Sequence, residues 1–120
     1  MSKNEIIAQL VEIYYTQEPW HKSFMSLPKA VQYHKTAYDN GDIHVYEEDN
    51  EVLGYYERYF NFDTCILYNV WIKESERKGK VFRELYRHFF KSMHENIKYI
   101  VGEKQKLGGK IQRVKITRRR

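Results

Sequence analysis

The chain has 120 residues, 42% of them apolar and 16% aromatic with 11 tyrosines, enough for one folded unit with a buried core and too apolar for intrinsic disorder. No apolar run approaches the ~18 residues that cross a bilayer, MSKNEIIAQL lacks the layout of a secretory signal, and a lone cysteine, Cys65, excludes an intrachain disulfide, so the expected setting is the cytoplasm of a cell or an infected cell, with no membrane partner. The net charge of +5 is local: residues 104–120 carry eight basic side chains and no acidic one, leaving −3 on residues 1–103.

Ser2 with Glu5 three positions later has the spacing of a capping box, and Ile6, Ile7, Leu10, Val11, Ile13 and Tyr14 recur at intervals of three, four and seven. The pattern predicts a helix over Lys3–Tyr15. Thr16–Phe24, with Pro19 and Trp20, reads as a loop. Ser26 ahead of Pro28 starts a second helix, about Pro28–Asp39, because a proline in the first turn gives up an N–H that lacks a helical partner anyway. Asn40-Gly41 ends it with residues that tolerate a left-handed backbone. The period then becomes two. Ile43 and Val45 alternate with His44 and Tyr46, Glu48-Asp49-Asn50 makes a turn, and Val52–Asn61 returns as an aromatic-rich strand. After a turn at Asn61-Phe62-Asp63, Thr64, Ile66, Tyr68, Val70 and Ile72 are expected on one face of a third strand, and Cys65, Leu67 and Trp71 on the other. Val81, Phe82, Leu85, Phe89, Phe90 and Met93 form a helical stripe over Val81–Glu95. Ile97–Val101 is then a fourth strand parallel to the third, and Ile111–Thr117, after a turn at Leu107-Gly108-Gly109, a final edge strand.

The segment between the third strand and its helix, Lys73 to Phe82, carries the chemistry. The first turn of a helix exposes N–H groups without partners at the positive end of the peptide dipoles, which is where phosphates bind. The turn also resembles motif A of the GNAT superfamily, the acyl-CoA-dependent N-acetyltransferases: Ile72 stands at the apolar strand end, Arg77 at the family's Gln/Arg position, and the two glycine positions fall on Lys80 and Phe82. The hairpin over residues 41–55 and Lys106-Leu107-Gly108-Gly109-Lys110 before the last strand are similar to the same family, so the likeness covers about residues 41–117. It implies an α+β fold: a single GNAT-like domain over 1–120, with a mixed, mainly antiparallel sheet of about five strands flanked by helices and the family's first strand missing. Residues 1–40 are its helical part, 41–117 its sheet and crossover helix, and 118–120 a basic tail.

The activity implied is transfer of an acetyl group from acetyl-CoA to a small-molecule or protein amine. In that reading the N–H groups from Arg77 through Gly79 and Val81 to Phe82 hold the CoA pyrophosphate, the side chains of Arg77, Lys78 and Lys80 add charge, and Val70, Trp71 and Ile72 take the pantetheine arm. The alternative is a non-catalytic GNAT-fold protein with a structural, virion-associated or nucleic-acid-binding role, because the shortened form is also similar to GNAT-like internal virion proteins of short-tailed phages. Glu57, Tyr68 and Glu103 are candidates for the general base by position, and Tyr99 for an acid; the plainer reading of each is a rim charge or a satisfied core tyrosine, and no catalytic residue is assigned. Five histidines without ligand spacing predict no metal site, with His88 and His94 on the exposed face of the third helix. Cys65 reads as an inert core thiol. Nucleic acid or another polyanion is an expected partner of residues 104–120, set against the plain role of charge on an edge strand. A homodimer is expected from the sheet edge that the missing strand leaves open.

Overall fold

The structure, a computed structural model, describes residues 1–105 and 111–117, with residues 104, 105 and the last strand as backbone only. The expected turn at Leu107-Gly108-Gly109, the tail 118–120 and the basic side chains of 104–120 lie outside the described residues.

Helix α1 spans Lys3–Gln17 and begins with the capping box, Glu5 N–H donating to Ser2 Oγ and Ser2 N–H to the Glu5 carboxylate, each at 3.2 Å. The predicted loop contains a one-turn helix, α2 (His21–Phe24), whose last N–H groups bond back to Trp20. Helix α3 (Leu27–Asp39) starts one residue before Pro28, and Gly41 follows it at φ 77°. Then come β1 (Ile43–Glu48), β2 (Glu51–Asn61) and β3 (Thr64–Ile72), a 3₁₀ turn at Glu74–Glu76, α4 (Lys80–Lys91), β4 (Tyr99–Gln105) and β5 (Ile111–Thr117). The helix predicted to reach Glu95 ends at Lys91, where Ser92 caps it, so His94 lies beyond the helix. The fourth strand begins at Tyr99 rather than Ile97.

The five strands lie in chain order, antiparallel throughout except for the parallel pair β3–β4 that α4 connects. The β1–β2 loop is Asp49-Asn50, both at positive φ (53° and 62°), the conformation a two-residue hairpin requires. Two cores flank the sheet. Ile6, Ile7, Leu10 and Val11 of α1 pack with Ala30 and Ala37 of α3 over Ile43, Val52 and Tyr55. Val81, Leu85 and Phe89 of α4 pack over Leu53, Tyr56, Cys65 and Ile72 on the opposite face. Cys65 is fully buried, as expected for a core thiol.

Two bulges correct the expected alternation. In β1–β2 the register steps from Tyr46–Gly54 to Glu47–Val52, so Leu53 has no counterpart on β1. In β2–β3 it steps from Glu57–Asn69 to Arg58–Leu67, leaving Tyr68 as the extra residue on β3. An extra residue reverses the facing of everything beyond it. Cys65 and Leu67 therefore share the α4 face with Ile72, while Asn69 and Trp71 look toward α1. Strict alternation across residues 64–72 placed Cys65 and Ile72 on opposite faces, and the bulge puts them on the same one.

Among the described residues no helix is long and apolar enough to cross a membrane, and no group of three or more His, Cys, Asp or Glu side chains is placed to hold a metal ion.

Candidate functional site

The pairing of β3 with β4 stops early. Thr64–Tyr99 through Leu67–Gly102 are in register; beyond them β4 stays with β5 as far as Gln105–Ile111, while β3 continues to Ile72 paired with β2. The two strands diverge at the bulge, and Tyr68 and Glu103 are the first residues on either side of the opening. Past it, the side of β3 that faced β4 presents backbone N–H and C=O groups to whatever enters, as any unpaired strand edge does. The same strand end leads through the 3₁₀ turn into the N-terminus of α4, so the opening and a helix N-terminus are adjacent.

At that N-terminus Gly79 is the N-cap, without a side-chain cap, and the first helical bond runs from Arg83 N–H to the Gly79 carbonyl at 3.4 Å. The N–H groups of Lys80, Val81 and Phe82 precede it and belong to the open first turn. Arg77 and Gly79 already use theirs in the 3₁₀ turn, donating to Glu74 and Glu76 at 3.4 Å each. Of the backbone donors expected to face an anion, those of Arg77 and Gly79 are thus taken up within the turn. Arg77 is anchored by its Nε, which donates to the Ile72 carbonyl at 3.0 Å. The Lys80 ammonium is exposed and is held high in pKa first by a hydrogen bond to Tyr46 and then by the charge of Glu48, so its side chain leans toward β1. Val81 is buried in the core beneath. A Cβ built on Gly79 meets nothing within 4 Å, so the turn has open space before it.

Two cavities of about 350 Å³ each meet at Val70, which lines both and is 49% exposed. The one toward α1 and α2 is polar, bounded by Tyr14, Gln17, Glu18, His21, Tyr68 and Asn69, with Trp71 and Arg77 at its margin. The one toward α4 is apolar, bounded by Leu67, Ile72, Phe82, Phe89, Phe90 and Ile100 among others.

The polar cavity contains a histidine that the sequence left inside a loop. His21 is buried and stacks flat on Tyr14, with ring centroids 4.1 Å apart. Its Nδ1 lies 2.6 Å from the Tyr14 carbonyl, an acceptor only, so Nδ1 carries the proton and Nε2 of the neutral ring carries the lone pair. This is the tautomer a general base needs. No spacing signal in the sequence pointed to it: the one-turn helix α2 brings residue 21 against residue 14, and only the fold supplies the cavity. Beside it, Asn69 Nδ2 and Gln17 Nε2 both donate to the Tyr55 hydroxyl, at 3.0 and 2.9 Å, which fixes the floor. Burial pushes the Tyr14 hydroxyl up to about 12, with the neighbouring Tyr68 adding to the shift. Tyr68 is likewise raised, by burial first and then by the negative charges of Glu57 and Glu103, so its hydroxyl keeps its proton at neutral pH.

The other candidates separate. Glu57 lies on the α3 side of β2, buried, with its carboxylate accepting hydrogen bonds from Tyr33 and Tyr59; it lines neither cavity. Burial raises its pKa while those two hydrogen bonds act the other way. Tyr99 sits at the closed end of the β3–β4 pair, opposite Thr64, away from the opening. Of the four candidates the fold brings Tyr68 and Glu103 to the opening and leaves Glu57 and Tyr99 outside it.

No family model matches the chain, and no curated protein matches it in sequence. Solved structures do resemble it. The diaminobutyrate acetyltransferase EctA from Paenibacillus lautus, determined with L-2,4-diaminobutyric acid and coenzyme A, superimposes with a TM-score of 0.60 at 12% identity over 83% of this chain and 60% of its own. A protein assigned to the GNAT family of acetyltransferases from Desulfovibrio desulfuricans gives 0.47 at 14% identity over 86% of this chain and 68% of its own. The chain thus spans about 60% of the length of EctA. The fold is GNAT-like, a shortened α+β form of it.

Proposed function

We propose that the chain is an acyl-CoA-dependent N-acyltransferase that transfers an acetyl group from acetyl-CoA to an amine. The observation that carries this reading is the divergence of β3 and β4 at the Tyr68 bulge, with the α4 N-terminus at its mouth and a polar cavity behind it. The EctA likeness supports the fold such an enzyme needs.

In this reading the N–H groups of Lys80, Val81 and Phe82 and the side chains of Arg77, Lys78 and Lys80 hold the pyrophosphate, and the edge of β3 over residues 69–71, beyond the last pair with β4, binds the amides of the pantetheine arm as an added strand would. Acetyl-CoA bound there supplies a thioester whose carbonyl carbon accepts the amine nitrogen as the carbon–sulfur bond breaks. The amine occupies the cavity of Tyr14, Gln17 and Glu18. His21 Nε2 takes its proton, and the Tyr14 carbonyl, bonded to Nδ1, stabilises the imidazolium that results. Tyr68, kept protonated beside the opening, gives its proton to the departing thiolate and regains one from solvent.

Isothermal titration with acetyl-CoA, followed by thiol release on adding small amines, tests the reading. His21→Gln should lower kcat roughly 10²- to 10⁴-fold with the Kd for acetyl-CoA unchanged, the usual loss of a general base. Absence of any heat with acetyl-CoA would end the proposal. It would favour the second reading, a non-catalytic GNAT-fold protein, for which the specific observation is the bulky, half-exposed Phe82 at a glycine position of the motif.

A further inference from the structure

The apolar cavity on the α4 side is larger than a two-carbon acetyl group has use for. A pantetheine arm carries amides that are costly to bury without partners, and the free edge of β3 supplies those partners in the plane of the sheet. The cavity lies off that plane, between the sheet and α4, and is lined almost wholly by hydrocarbon: Leu67, Val70, Ile72, Phe89, Phe90 and Ile100. The hydroxyl of Tyr56 at its wall is already bonded to His88 Nδ1 at 2.7 Å.

Its position relative to the strand divergence is the second point. The divergence begins after Leu67–Gly102, whereas Ile100 pairs with Cys65, two residues deeper. The cavity therefore continues past the point where the strands part, toward Phe89 and Phe90 near the end of α4. Phe82, Tyr86 and Phe90 stand one turn apart along its outer wall, with ring centroids 6.0 and 4.7 Å apart, and are 48%, 57% and 37% exposed. An aromatic wall left this open toward solvent is what an apolar ligand group would cover.

Resting on the acyltransferase reading above, we infer that this cavity receives the hydrocarbon chain of the acyl group, and that the preferred donor is an acyl-CoA longer than acetyl-CoA. The chemistry at the carbonyl is unchanged; the chain beyond it enters along Leu67 and Ile100 and displaces water from Phe89 and Phe90.

Titration of the full chain with free CoA, acetyl-, butanoyl- and hexanoyl-CoA tests this. Each buried methylene should tighten Kd about fourfold, the equivalent of about 0.8 kcal/mol. Phe90→Gln and Tyr86→Gln, both at half-exposed positions where the fold tolerates polar groups, should flatten the series and lower the ratio of acetyl to hexanoyl Kd; thermal melting checks that each folds. A flat series in the wild type with free CoA and acetyl-CoA still binding would overturn the inference and leave the acyltransferase reading intact. Failure of free CoA and of every acyl-CoA to bind would remove both. A flat series accompanied by concentration-dependent dimerisation that Phe90→Gln abolishes would assign the cavity to a second copy of the chain and overturn the inference as well.

Discussion

Gly54 sets how closely α4 approaches the sheet. A Cβ there would lie 2.9 Å from Leu85 Cδ1 and Val81 Cγ1 and 3.2 Å from the Trp71 carbonyl oxygen, inside ordinary contact on all three sides. Gly54→Ala is expected to destabilise the protein by about 1–3 kcal/mol through overpacking, read as a lower denaturant midpoint with an unchanged slope. At the other end of α4, the buried Arg58 guanidinium donates to Ser92 Oγ at 2.8 Å and lies 4.4 Å from the Phe60 ring centroid, near the negative end of the helix dipole. His44 and His88 stack 3.4 Å apart beside it. Burial first, then the charges of His88 and Arg58, push His44 down to about 4 from an ordinary 6.5, and His88 is lowered by burial and Arg58. His88, exposed as expected, is also tied to Tyr56 and His44. A base whose folded pKa is depressed binds fewer protons folded than unfolded, so stability is fullest above about 6.5 and is lost as pH falls from there toward 4. Glu57, raised by burial, acts with the opposite sign in part of that window. The informative quantity is therefore the difference between wild type and His44→Gln: melting temperatures measured from pH 8 to 4 should converge on acidification, and parallel curves would refute the assignment.

At the scale of elements, the turn into α4 is where a stability effect and a binding effect separate. Gly79 has φ −121°, which any residue adopts, and open space around its Cβ. Gly79→Asp should therefore fit, cap the helix and stabilise the protein by a few tenths of a kcal/mol. The same carboxylate would occupy the anion position, so acetyl-CoA affinity should fall at least roughly tenfold, about 1.4 kcal/mol of lost or repelled charge contact. A variant that is more stable and binds equally well would show that the α4 N-terminus does not hold the pyrophosphate. The element types were legible in the sequence because each follows from a local cause: the capping box at Ser2, Pro28 in the first turn of α3, the stripe of Val81, Leu85 and Phe89. The bulges were not. Whether Tyr68 is an extra residue depends on how many residues β2 sets against it, and no property of residues 64–72 alone encodes that count.

For the whole molecule, the sheet separates two cores, and the proposed site lies where the third strand leaves its parallel neighbour between them. A ligand that bridges the β3 edge and α4 binds only the folded chain. Acetyl-CoA at a hundredfold excess over Kd should therefore stabilise the protein by about 2.7 kcal/mol, roughly a 10 °C rise in melting temperature for a domain of this size. At the same ligand concentration Gly79→Asp, with its roughly tenfold weaker binding, should remove about half of that rise without lowering the ligand-free melting temperature. A wild-type rise of less than about 1 °C under saturating ligand would contradict the proposed site.

What the sequence determined by itself is the order and type of the elements, α2 and the 3₁₀ turn excepted, and the place of one strand-to-helix turn, since helix starts, turn residues and the change of period from 3.6 to two are local in the chain. It also located Tyr68 on the third strand, whereas Glu103 fell beyond the expected fourth strand, Ile97–Val101, and joins β4 only in the structure. The tertiary structure alone decided the remainder: that β3 and β4 part after Leu67–Gly102, that the bulge brings Cys65 and Ile72 to one face, and that α2 folds His21 onto Tyr14 in a cavity reached across Val70. Each depends on contacts between residues far apart in sequence, so pairing register and packing, rather than local preference, settle where the candidate chemistry lies.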